Sequence, residues 1–375
     1  MRRMLLFLVA VALLVPIVAV HTQGQNTQGQ KTLDVYYIDT EGGKAVLFVS
    51  PTGETMLFDT GTGGDNNRDL DRILAVIKAA NLPTQQLDHV IVSHYHGDHV
   101  GNAAALADKL PIRNFYDHGG WTAELQTNRA AAFNTYLPIR QKAHVTVPKP
   151  GNKIPITGFD VTVVSSVGEL ITSAVPGMPG AGTSNSVCRE FVPKVLDPTP
   201  ENYYTLGVVI KYGNFRMLDL ADLNWNQEKE LVCPNNLLGT NFDVYNTTRH
   251  GTDFAGSPVL VHGARPRVVV MNNSPRKGGT PDTFKIVKSS PGLLDLWQLH
   301  YSENVSKEIN SPEQFIANMD STPTNHPAHY IKLSARTDGS FTMTNERTGF
   351  SKEYPAARTG TSSASSAKSP ASSSR

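Results

Sequence analysis

The sequence has no surplus of charge of either sign, and this absence limits its partners. Its 375 residues include 34 lysines and arginines against 33 aspartates and glutamates, a formal net charge of +1 at pH 7. Removal of residues 1–20 would take away two arginines and no acid, so that the net charge becomes −1. Proteins that hold duplex nucleic acid by its phosphates normally carry a basic surface. We therefore expect a small-molecule substrate and no duplex-binding surface.

Cysteine is also scarce, since the chain contains only Cys188 and Cys233. The two could form a disulfide in an oxidising compartment, but their spacing does not show whether they meet in space. No internal repeat is found. Hydrophobic residues make up 39% of the chain, which is ample for a buried core, and the length allows one large domain or two small ones.

The N-terminal residues have the pattern of a secretory signal peptide. A basic start with Arg2 and Arg3 precedes an apolar run, residues 4–20, that is broken only by Pro16. A retained membrane anchor is the alternative, because residues 19–21 form only a moderate cleavage site, and the lack of cysteine there argues against a lipoprotein. The sequence predicts a signal peptide over 1–20, a flexible linker over 21–31, a folded domain over 32–355 and a disordered Ser/Ala-rich tail over 356–375. We thus expect a secreted or periplasmic protein without stable membrane association once the signal peptide is removed.

Histidine is concentrated in one stretch that follows the apolar run 90–92. His94, His96, Asp98 and His99 form the pattern H-x-H-x-D-H. On an extended chain, residues two apart face the same way, so the imidazoles of His94 and His96 can bind one metal ion. The side chains of Asp98 and His99, which follow, can bind a second. A histidine-rich surface loop would not need the carboxylate and the last histidine at fixed offsets between a strand and a helix. His89, at the start of the strand, is interpreted as structural.

Imidazole and carboxylate ligands without thiolate suit Zn²⁺, and also Mn²⁺ or Fe²⁺. Two such points roughly 3.5–4 Å apart would form a two-metal site of the kind that activates water. We therefore expect two divalent metal ions as cofactors, with zinc as the first choice.

Alternating β-rich and helical patterns surround this stretch. The sequence predicts an antiparallel opening of three strands (33–38, 44–49, 54–58), a helix over 67–80 with Asn66 or Asn67 as N-cap, a helix over 103–110, strands over 112–116 and 159–165, and a hairpin of 204–212 with 215–220. Residues 121–136 are either a mobile or a helical insertion. Residues 168–200 have little periodicity and are either a functional lid or an excursion tied down by Cys188.

Further candidate ligands follow later strands. Asp222 lies just past the second hairpin strand. Asp219, three residues earlier, would face the opposite side of an extended chain and is interpreted as structural. His250 follows the extended residues 243–247. His118, at the end of a short strand, either lines a cleft or is simply exposed.

These motifs resemble the metallo-β-lactamase superfamily over about residues 33–274. The resemblance rests on H-x-H-x-D-H after a strand, Phe58-Asp59-Thr60-Gly61 before it, Asp222 after a later hairpin and His250-Gly251 after the next strand. Residues 38–47, 201–206, 249–252 and 266–270 resemble motifs of the hydrolase domain of ComEC-like competence proteins. The resemblance implies an α+β fold, a four-layer αββα sandwich, with a metal site at the sheet edge.

The same resemblance implies roles for the candidate residues. His94 and His96 would bind the first metal; Asp98, His99 and His250 would bind the second; and Asp222 would bridge the two. Asp98 and Asp222 would be the catalytic carboxylates, with Asp98 orienting a hydroxide formed from water held between the cations. Asp59 would steady the ligand loop, and Tyr95 would pack between the histidines or, less expectedly, contact substrate.

One departure from the resembled pattern concerns the first metal. Many superfamily members have a further histidine just before the Asp222 hairpin, but residues 200–204 contain none. Asn202, Glu201 or water would then complete this position, and His118 is another candidate. The first metal should therefore be held less tightly than the second.

Three functions are compatible with this pattern. The first is a secreted metal-dependent hydrolase of phosphodiester or nucleotide-type substrates, which the ComEC-like motifs favour. The second is a hydrolase of lactams, lactones or other acyl compounds, because the same metal core serves both chemistries. The third is a non-catalytic metal-binding protein of the same fold, which is disfavoured because all six candidate ligands are present.

Overall fold

The computed structural model describes residues 31–120, 122, 131–195, 200–320 and 328–357. The predicted signal peptide, most of the predicted linker and nearly all of the predicted tail lie outside these residues, as do parts of the segments 121–136 and 168–200. Among the residues described, no helix is both long and apolar enough to cross a membrane.

Twenty strands are formed within the described ranges. They are β1 Leu33–Tyr37, β2 Val46–Val49, β3 Thr55–Phe58, β4 Leu87–Ile91, β5 Ile112–Tyr116, β6 Val145–Thr146, β7 Lys153–Ile154, β8 Asp160–Ser166, β9 Glu169–Leu170, β10 Thr183–Ser184, β11 Gly207–Tyr212, β12 Phe215–Asp219, β13 Asn235–Asn236, β14 Val244–Asn246, β15 Val268–Met271, β16 Asp295–His300, β17 Ile316–Asn318, β18 Ile331–Ala335, β19 Phe341–Asn345 and β20 Ser351–Tyr354.

The same part of the chain contains seven α-helices and five 3₁₀ turns. The helices are α1 Arg68–Ala79, α2 Gly97–Val100, α3 Ala103–Lys109, α4 Ala131–Arg140, α5 Trp225–Val232, α6 Pro258–Ala264 and α7 Pro281–Lys288. The 3₁₀ turns are Asp65–Asn67, Ser186–Glu190, Pro200–Tyr204, Thr248–Gly251 and Glu313–Phe315.

Two large mixed sheets contain most of these strands. The first sheet has the order β20-β19-β18-β1-β2-β3-β4-β5-β6, and the second has the order β17-β16-β15-β14-β12-β11-β8-β7, with β9 paired to β8. β10 and β13 form a separate small pair. The predicted antiparallel opening is confirmed, because β2 pairs antiparallel with both β1 and β3.

The strands bury both faces, which explains their nearly continuous apolar sequence. In β1, Val35 and Tyr37 belong to an apolar cluster shared with the second sheet, whereas Tyr36 belongs to a cluster shared with α1 and α4. A third cluster joins the other face of the second sheet to α5, α6 and α7. Three apolar layers between four layers of secondary structure give the αββα sandwich, so the predicted fold class is confirmed.

Strands beyond residue 274 complete both sheets. β16 and β17 extend the second sheet by parallel pairing, and β18 pairs antiparallel with β1 along all five of its residues. β19 and β20 then continue the first sheet beyond β18.

Two local predictions are wrong in detail. The predicted hairpin is formed, but its first strand begins at Gly207, because residues 200–204 form a 3₁₀ turn in which Glu201 and Asn202 bury their polar side chains. Asn67 does occupy the N-cap position of α1, but its backbone is left-handed (φ 64°) and its side chain makes no capping hydrogen bond.

The irregular segment after β9 is tied to α5. Cys188 and Cys233 form a disulfide, which the sequence had left open. The backbone amide of Val175 also donates to the Leu237 carbonyl at 2.8 Å. The described part of residues 168–200 is therefore an excursion anchored on the second sheet's outer helices.

Candidate metal centre

The candidate ligands lie on loops that leave neighbouring parallel strands. β3 and β4 are parallel neighbours in the first sheet, and β12, β14 and β15 are parallel neighbours in the second. The loops that follow their carboxyl ends contact one another. They carry Asp59, the H-x-H-x-D-H stretch, Asp222, His250 and Lys277.

The backbone around the ligand loops is closely packed. The amide of Lys44 donates to the Asp98 carbonyl at 3.0 Å, and a Cβ at Gly43 would lie 2.6 Å from that same oxygen. A Cβ at Gly278 would lie 1.8 Å from the His250 carbonyl oxygen. Glycine is therefore required at both positions for the two ligand loops to be held where they are.

The first pair of histidines faces one point. His94 Nε2 lies 2.9 Å from His96 Nδ1, and 4.0 Å from Asp222 Oδ2. His94 is fully buried, whereas His96 lines a cavity. Donor atoms of His94, His99 and Asp222 lie within 4.8 Å of one another, so the predicted first position lies next to the second.

The second group converges more closely. His99 Nε2 lies 3.3 Å from His250 Nε2. Asp98 Oδ2 lies 3.4 Å and 3.3 Å from these two nitrogens, and Asp222 Oδ1 lies 3.2 Å and 3.4 Å from them. The structure thus brings together all six residues that the sequence predicted as ligands.

The electrostatics of this group favour a positive charge at its centre. Burial would raise the pKa of Asp222, but the facing His99 and His250 hold it well below its usual range. Burial would lower the pKa of His99, but the carboxylates of Asp222, Asp98 and Asp59 raise it well above its usual range. By contrast, burial together with His99 and His96 lowers the pKa of His94, which leaves its ring neutral with a lone pair to donate.

These residues fit a divalent cation. Asp222 Oδ1 is buried and accepts no hydrogen bond from the described residues, although two imidazole nitrogens lie close to it. Such an oxygen is costly unless a cation or a donor satisfies it. Facing imidazoles and carboxylates are the donor set that zinc, manganese and iron accept.

In His99 and His250, the ring nitrogen that faces away from the candidate metal position contacts a buried polar group. His99 Nδ1 lies 2.9 Å from Asp59 Oδ2, and Asp59 Oδ1 accepts the Ser93 amide at 2.7 Å. His250 Nδ1 lies 3.1 Å from Asn272 Nδ2. Such partners fix ring orientation and thereby the direction of the metal-binding lone pair.

A buried lysine beneath the centre was missed by the sequence interpretation. Lys44 is 1% exposed, its Nζ donates to Asp219 Oδ1 at 2.7 Å, and it lies 3.2 Å from the centre of the Phe58 ring. Asp219 in turn accepts the Ala221 amide, next to Asp222. A lysine at the first position of the predicted strand 44–49 was the available signal.

Two residues proposed to complete the first position lie elsewhere. His118 Nε2 lies 2.7 Å from Glu201 Oε1. Among the residues that the structure describes, neither belongs to a cluster of three donor atoms close enough together to bind one metal ion. The expectation that Glu201 or His118 completes the first metal position is therefore wrong, because the two side chains bond to each other inside the fold. Asn202 does line the cavity that contains His96 and Asp222.

The cavity at the centre has a volume of about 520 Å³ and includes residues that sequence reasoning did not assign. Arg249, Phe254 and Lys277 form part of its wall beside the ligands. Arg249 and His250 both have left-handed backbone conformations (φ 52° and 57°), which are uncommon outside glycine and occur at functional sites. The motif Arg249-His250-Gly251 was the signal that could have drawn attention to the arginine.

A third group of donor atoms lies apart from the cavity. Asp39, Glu41 and His300 have donor atoms within 4.8 Å of one another, but Arg72 already binds Asp39 at 2.9 Å and Glu41 at 3.2 Å. This cluster is a buried ion-pair network that joins the turn after β1 to α1 and β16.

Comparison with known proteins gives a family match over part of the chain. Residues 39–188 match the sequence model described as the metallo-beta-lactamase superfamily. The match includes the H-x-H-x-D-H stretch and ends before Asp222 and His250. No curated protein matches the chain in sequence.

Several solved structures are distantly similar. They include the metallo-beta-lactamase fold protein YhfI from Bacillus subtilis (13% identity, 81% of this chain and 100% of that chain, TM-score 0.44) and Igni18, a novel metallo hydrolase from the hyperthermophilic archaeon Ignicoccus hospitalis (15%, 72% and 97%, 0.41). CmlA, a diiron beta-hydroxylase from Streptomyces venezuelae, is also similar (14%, 64% and 44%, 0.35). The sequence match to the metallo-β-lactamase superfamily thus covers residues 39–188, and this superfamily includes metal-dependent hydrolases that bind divalent metals, often two.

Proposed function

We propose that this protein is a secreted metal-dependent hydrolase of phosphodiester or nucleotide-type substrates. The observation that carries the proposal is that two cationic side chains, Arg249 and Lys277, line the same cavity as the candidate metal ligands. Cations beside a metal centre attract an anionic substrate and stabilise charge that develops during its hydrolysis.

Arg249 is held in place for recognition of an anion. Its Nη1 donates to Asn224 Oδ1 at 3.1 Å, and its guanidinium lies 4.9 Å from the centre of the Phe254 ring. A guanidinium fixed in this way presents a planar array of donors that matches phosphate or carboxylate geometry. Phe254, which is 46% exposed, offers an apolar surface beside it for the rest of the substrate.

Lys277 is the second cationic side chain in the wall of the cavity. Its ammonium contacts Asp98 Oδ2, and its side chain is 45% exposed. A lysine at this place adds positive charge where an anionic substrate would approach Asp98.

The ligands account for the hydrolytic part of the proposal. Divalent cations held by His94, His96, Asp98, His99, Asp222 and His250 would lower the pKa of bound water and polarise the scissile group. Asp98 lies at the cavity wall, where its carboxylate can accept a hydrogen bond from the attacking water. We propose zinc as the native metal, with manganese or iron as alternatives, since the ligands are imidazoles and carboxylates.

Membership of the ComEC-like subgroup is part of the proposal, and it rests on the motifs at residues 38–47, 201–206, 249–252 and 266–270. Export is supported by the Cys188–Cys233 disulfide, because stable disulfides belong to oxidising compartments. N-terminal sequencing of protein from the periplasm or medium should find a first residue between 21 and 31. An intact Met1 in the membrane fraction would favour the retained anchor instead.

The substrate class can be tested with protein purified without a histidine tag. After chelation and metal add-back, we expect hydrolysis of bis(p-nitrophenyl) phosphate or cyclic nucleotides, and little hydrolysis of neutral lactones. Arg249→Gln should raise KM for the phosphodiester at least tenfold, whereas Arg249→Lys should retain part of the binding. Preferred hydrolysis of a lactone or β-lactam would establish the acyl alternative, and metal binding without turnover of any class would establish the non-catalytic one.

A further inference from the structure

A buried polar cluster lies directly behind the His94 and His96 loop. Its centre is Glu201, which is 0% exposed and belongs to the 3₁₀ turn before β11. His118, 4% exposed, reaches it from the end of β5, and Thr122 reaches it from the following loop. The candidate metal site described above uses none of these three side chains.

The carboxylate of Glu201 binds the ligand loop through its backbone. Oε1 accepts the amide N–H of Tyr95 at 2.9 Å and faces His118 Nε2 at 2.7 Å. Oε2 accepts the hydroxyl of Thr122. Tyr95 is the residue between the two candidate ligands, so this hydrogen bond fixes the peptide that connects them.

The side chain of Tyr95 is fixed as firmly as its backbone. Its hydroxyl donates to the Gly119 carbonyl at 2.6 Å, and its ring centre lies 4.2 Å from that of His118 and 4.3 Å from that of Phe133. His118 therefore contacts the loop twice, through the Tyr95 ring and through Glu201. Rotation of the loop would break the backbone hydrogen bond and this ring packing together.

The charge on Glu201 distinguishes this cluster from ordinary packing. Burial would raise the pKa of the carboxyl, but His118, Thr122 and the Tyr95 amide hold it below its usual value. A buried carboxylate is costly unless it is paired and hydrogen-bonded, and a neutral acceptor could have satisfied one backbone N–H. The fold instead keeps a charged acceptor at the peptide between two imidazoles.

We propose that Glu201, paired with His118, is a positioning residue that holds the imidazoles of His94 and His96 in the geometry needed to bind the first metal. It acts through the Tyr95 backbone and does not ligate the metal itself. The inference rests on metal binding at this centre, which is part of the proposed function, and is independent of the substrate. It explains how a position with few protein ligands can still be preorganised.

The test is a metal titration of apoprotein by competition with a chelating dye. We expect two unequal steps in the parent protein. His96→Ala identifies the step that belongs to the first position, and His250→Ala identifies the other. Loss of a partner that orients a ligand typically costs about 10- to 100-fold in metal affinity. Glu201→Gln should therefore weaken the first-position step by at least tenfold and leave the other step within twofold.

Asp88→Asn is the matched control. Asp88 is also a buried carboxylate that accepts a backbone amide, that of Thr55 at 3.0 Å, but it lies at the other end of β4 from the metal centre. This substitution should lower the melting temperature and leave both metal steps unchanged. A merely structural role for Glu201 predicts the same pattern for Glu201→Gln, and that result would overturn the proposal.

A second pair of variants covers the case in which Glu201→Gln does not fold. His118→Gln keeps a side-chain N–H that can donate to Glu201, whereas His118→Leu removes it. The proposal requires the first-position step to weaken in His118→Leu and to be largely retained in His118→Gln; equal metal affinities in the two variants would overturn it. A parent protein that binds no metal overturns the proposed function as well, whereas two parental steps unaffected by these variants overturn this inference alone.

Discussion

At the scale of single residues, one buried lysine pairs with two buried carboxylates beneath the metal centre. Asp59 and Asp219 are fully buried, and the Lys44 ammonium lies 3.8 Å from the first and 2.7 Å from the second. Asp59 also binds His99, and Asp219 also binds the Ala221 amide next to Asp222. Lys44 therefore provides an ammonium group to two buried carboxylates, each of which orients part of the ligand set.

Replacing this lysine should destabilise the fold strongly. Lys44→Met leaves Asp219 buried without its cation, and breaking a buried ion pair in this way costs about 3–5 kcal/mol of the free energy of unfolding. Asp219→Asn added to Lys44→Met should recover part of that loss because it removes the uncompensated charge. Urea denaturation of the metal-free proteins measures both values; a double variant no more stable than the single one would contradict the pairing.

The ligands themselves should matter for activity and little for folding. His96→Ala and Asp98→Ala each remove a donor from the cavity wall, from the loop after β4 and from the short helix α2. We expect both variants to lose metal-dependent hydrolysis and to keep the far-UV circular dichroism spectrum of the parent. Activity is to be measured after chelation and metal add-back, and full activity in either variant would refute the assignment.

Glu228 should make stability depend on pH. It is fully buried on α5, and burial raises its pKa to about 7, although the amides of Gly256 and Ser257 donate to it at 2.7 Å. A carboxyl whose pKa is higher in the folded state than in the unfolded state stabilises the fold at low pH. This contribution is lost as the pH rises from about 4.5 to about 7.

The size of this effect can be isolated by substitution. Between pH 5 and pH 8 the parent should lose about 2–3 kcal/mol more stability than Glu228→Gln, since one pKa unit corresponds to about 1.4 kcal/mol. Chemical denaturation in the presence of EDTA at both pH values gives the difference. Parallel pH profiles for the two proteins would show that Glu228 does not titrate in this range.

At the scale of secondary-structure elements, local patterns predicted what depends on local sequence. The β-rich runs of β1 to β3, the amphipathic helix α1 and the Gly213-Asn214 turn all lie within short windows, and all are formed. The first hairpin strand was predicted to begin at residue 204, where the structure has the end of the 3₁₀ turn 200–204, in which Glu201 is buried against Tyr95 and His118. Local sequence does not reveal such a partner.

In the candidate site, too, the residues recognised from the sequence are those with a local pattern. The H-x-H-x-D-H stretch could be recognised because its ligands lie within six residues, whereas Lys44 and Asp219 are 175 residues apart and Lys277 and Asp98 are 179 residues apart. Residues whose roles depend on such long-range contacts have no periodic or spacing signal. They became candidates only when the two sheets brought their loops together.

The disulfide should stabilise the excursion after β9 and the fold as a whole. Cys188 and Cys233 are 45 residues apart, and closing a loop of this length restricts the unfolded chain by about 4 kcal/mol in the chain-entropy model. The double variant Cys188→Ser/Cys233→Ser should be less stable by an amount of this order. Reduction of the parent should give a similar loss in urea denaturation, while no loss in either would contradict a disulfide in the isolated protein.

At the scale of the whole molecule, the first sheet depends on strands that are far apart in sequence. β1 lies between β2 and β18, and it pairs with β18 through all five residues from Leu33 to Tyr37. Side chains of β18 and β19, including Leu333, Phe341 and Met343, belong to the apolar cluster between the sheets. The polypeptide must therefore be complete to about residue 354 before this cluster is closed.

This closure predicts the effect of two truncations. A chain that ends at Asp320 lacks β18 to β20, so β1 becomes an unprotected edge strand and apolar side chains of both sheets lose their cover. Such edges pair with other chains, and we expect the truncated protein to be insoluble or unfolded even when metal is added. A chain that ends at Ala357 keeps every described strand and loses only the predicted tail, so its melting temperature and metal binding should match those of the parent. A soluble, cooperatively folding protein that ends at Asp320 would mean that residues 33–320 can close the sandwich without the last three strands.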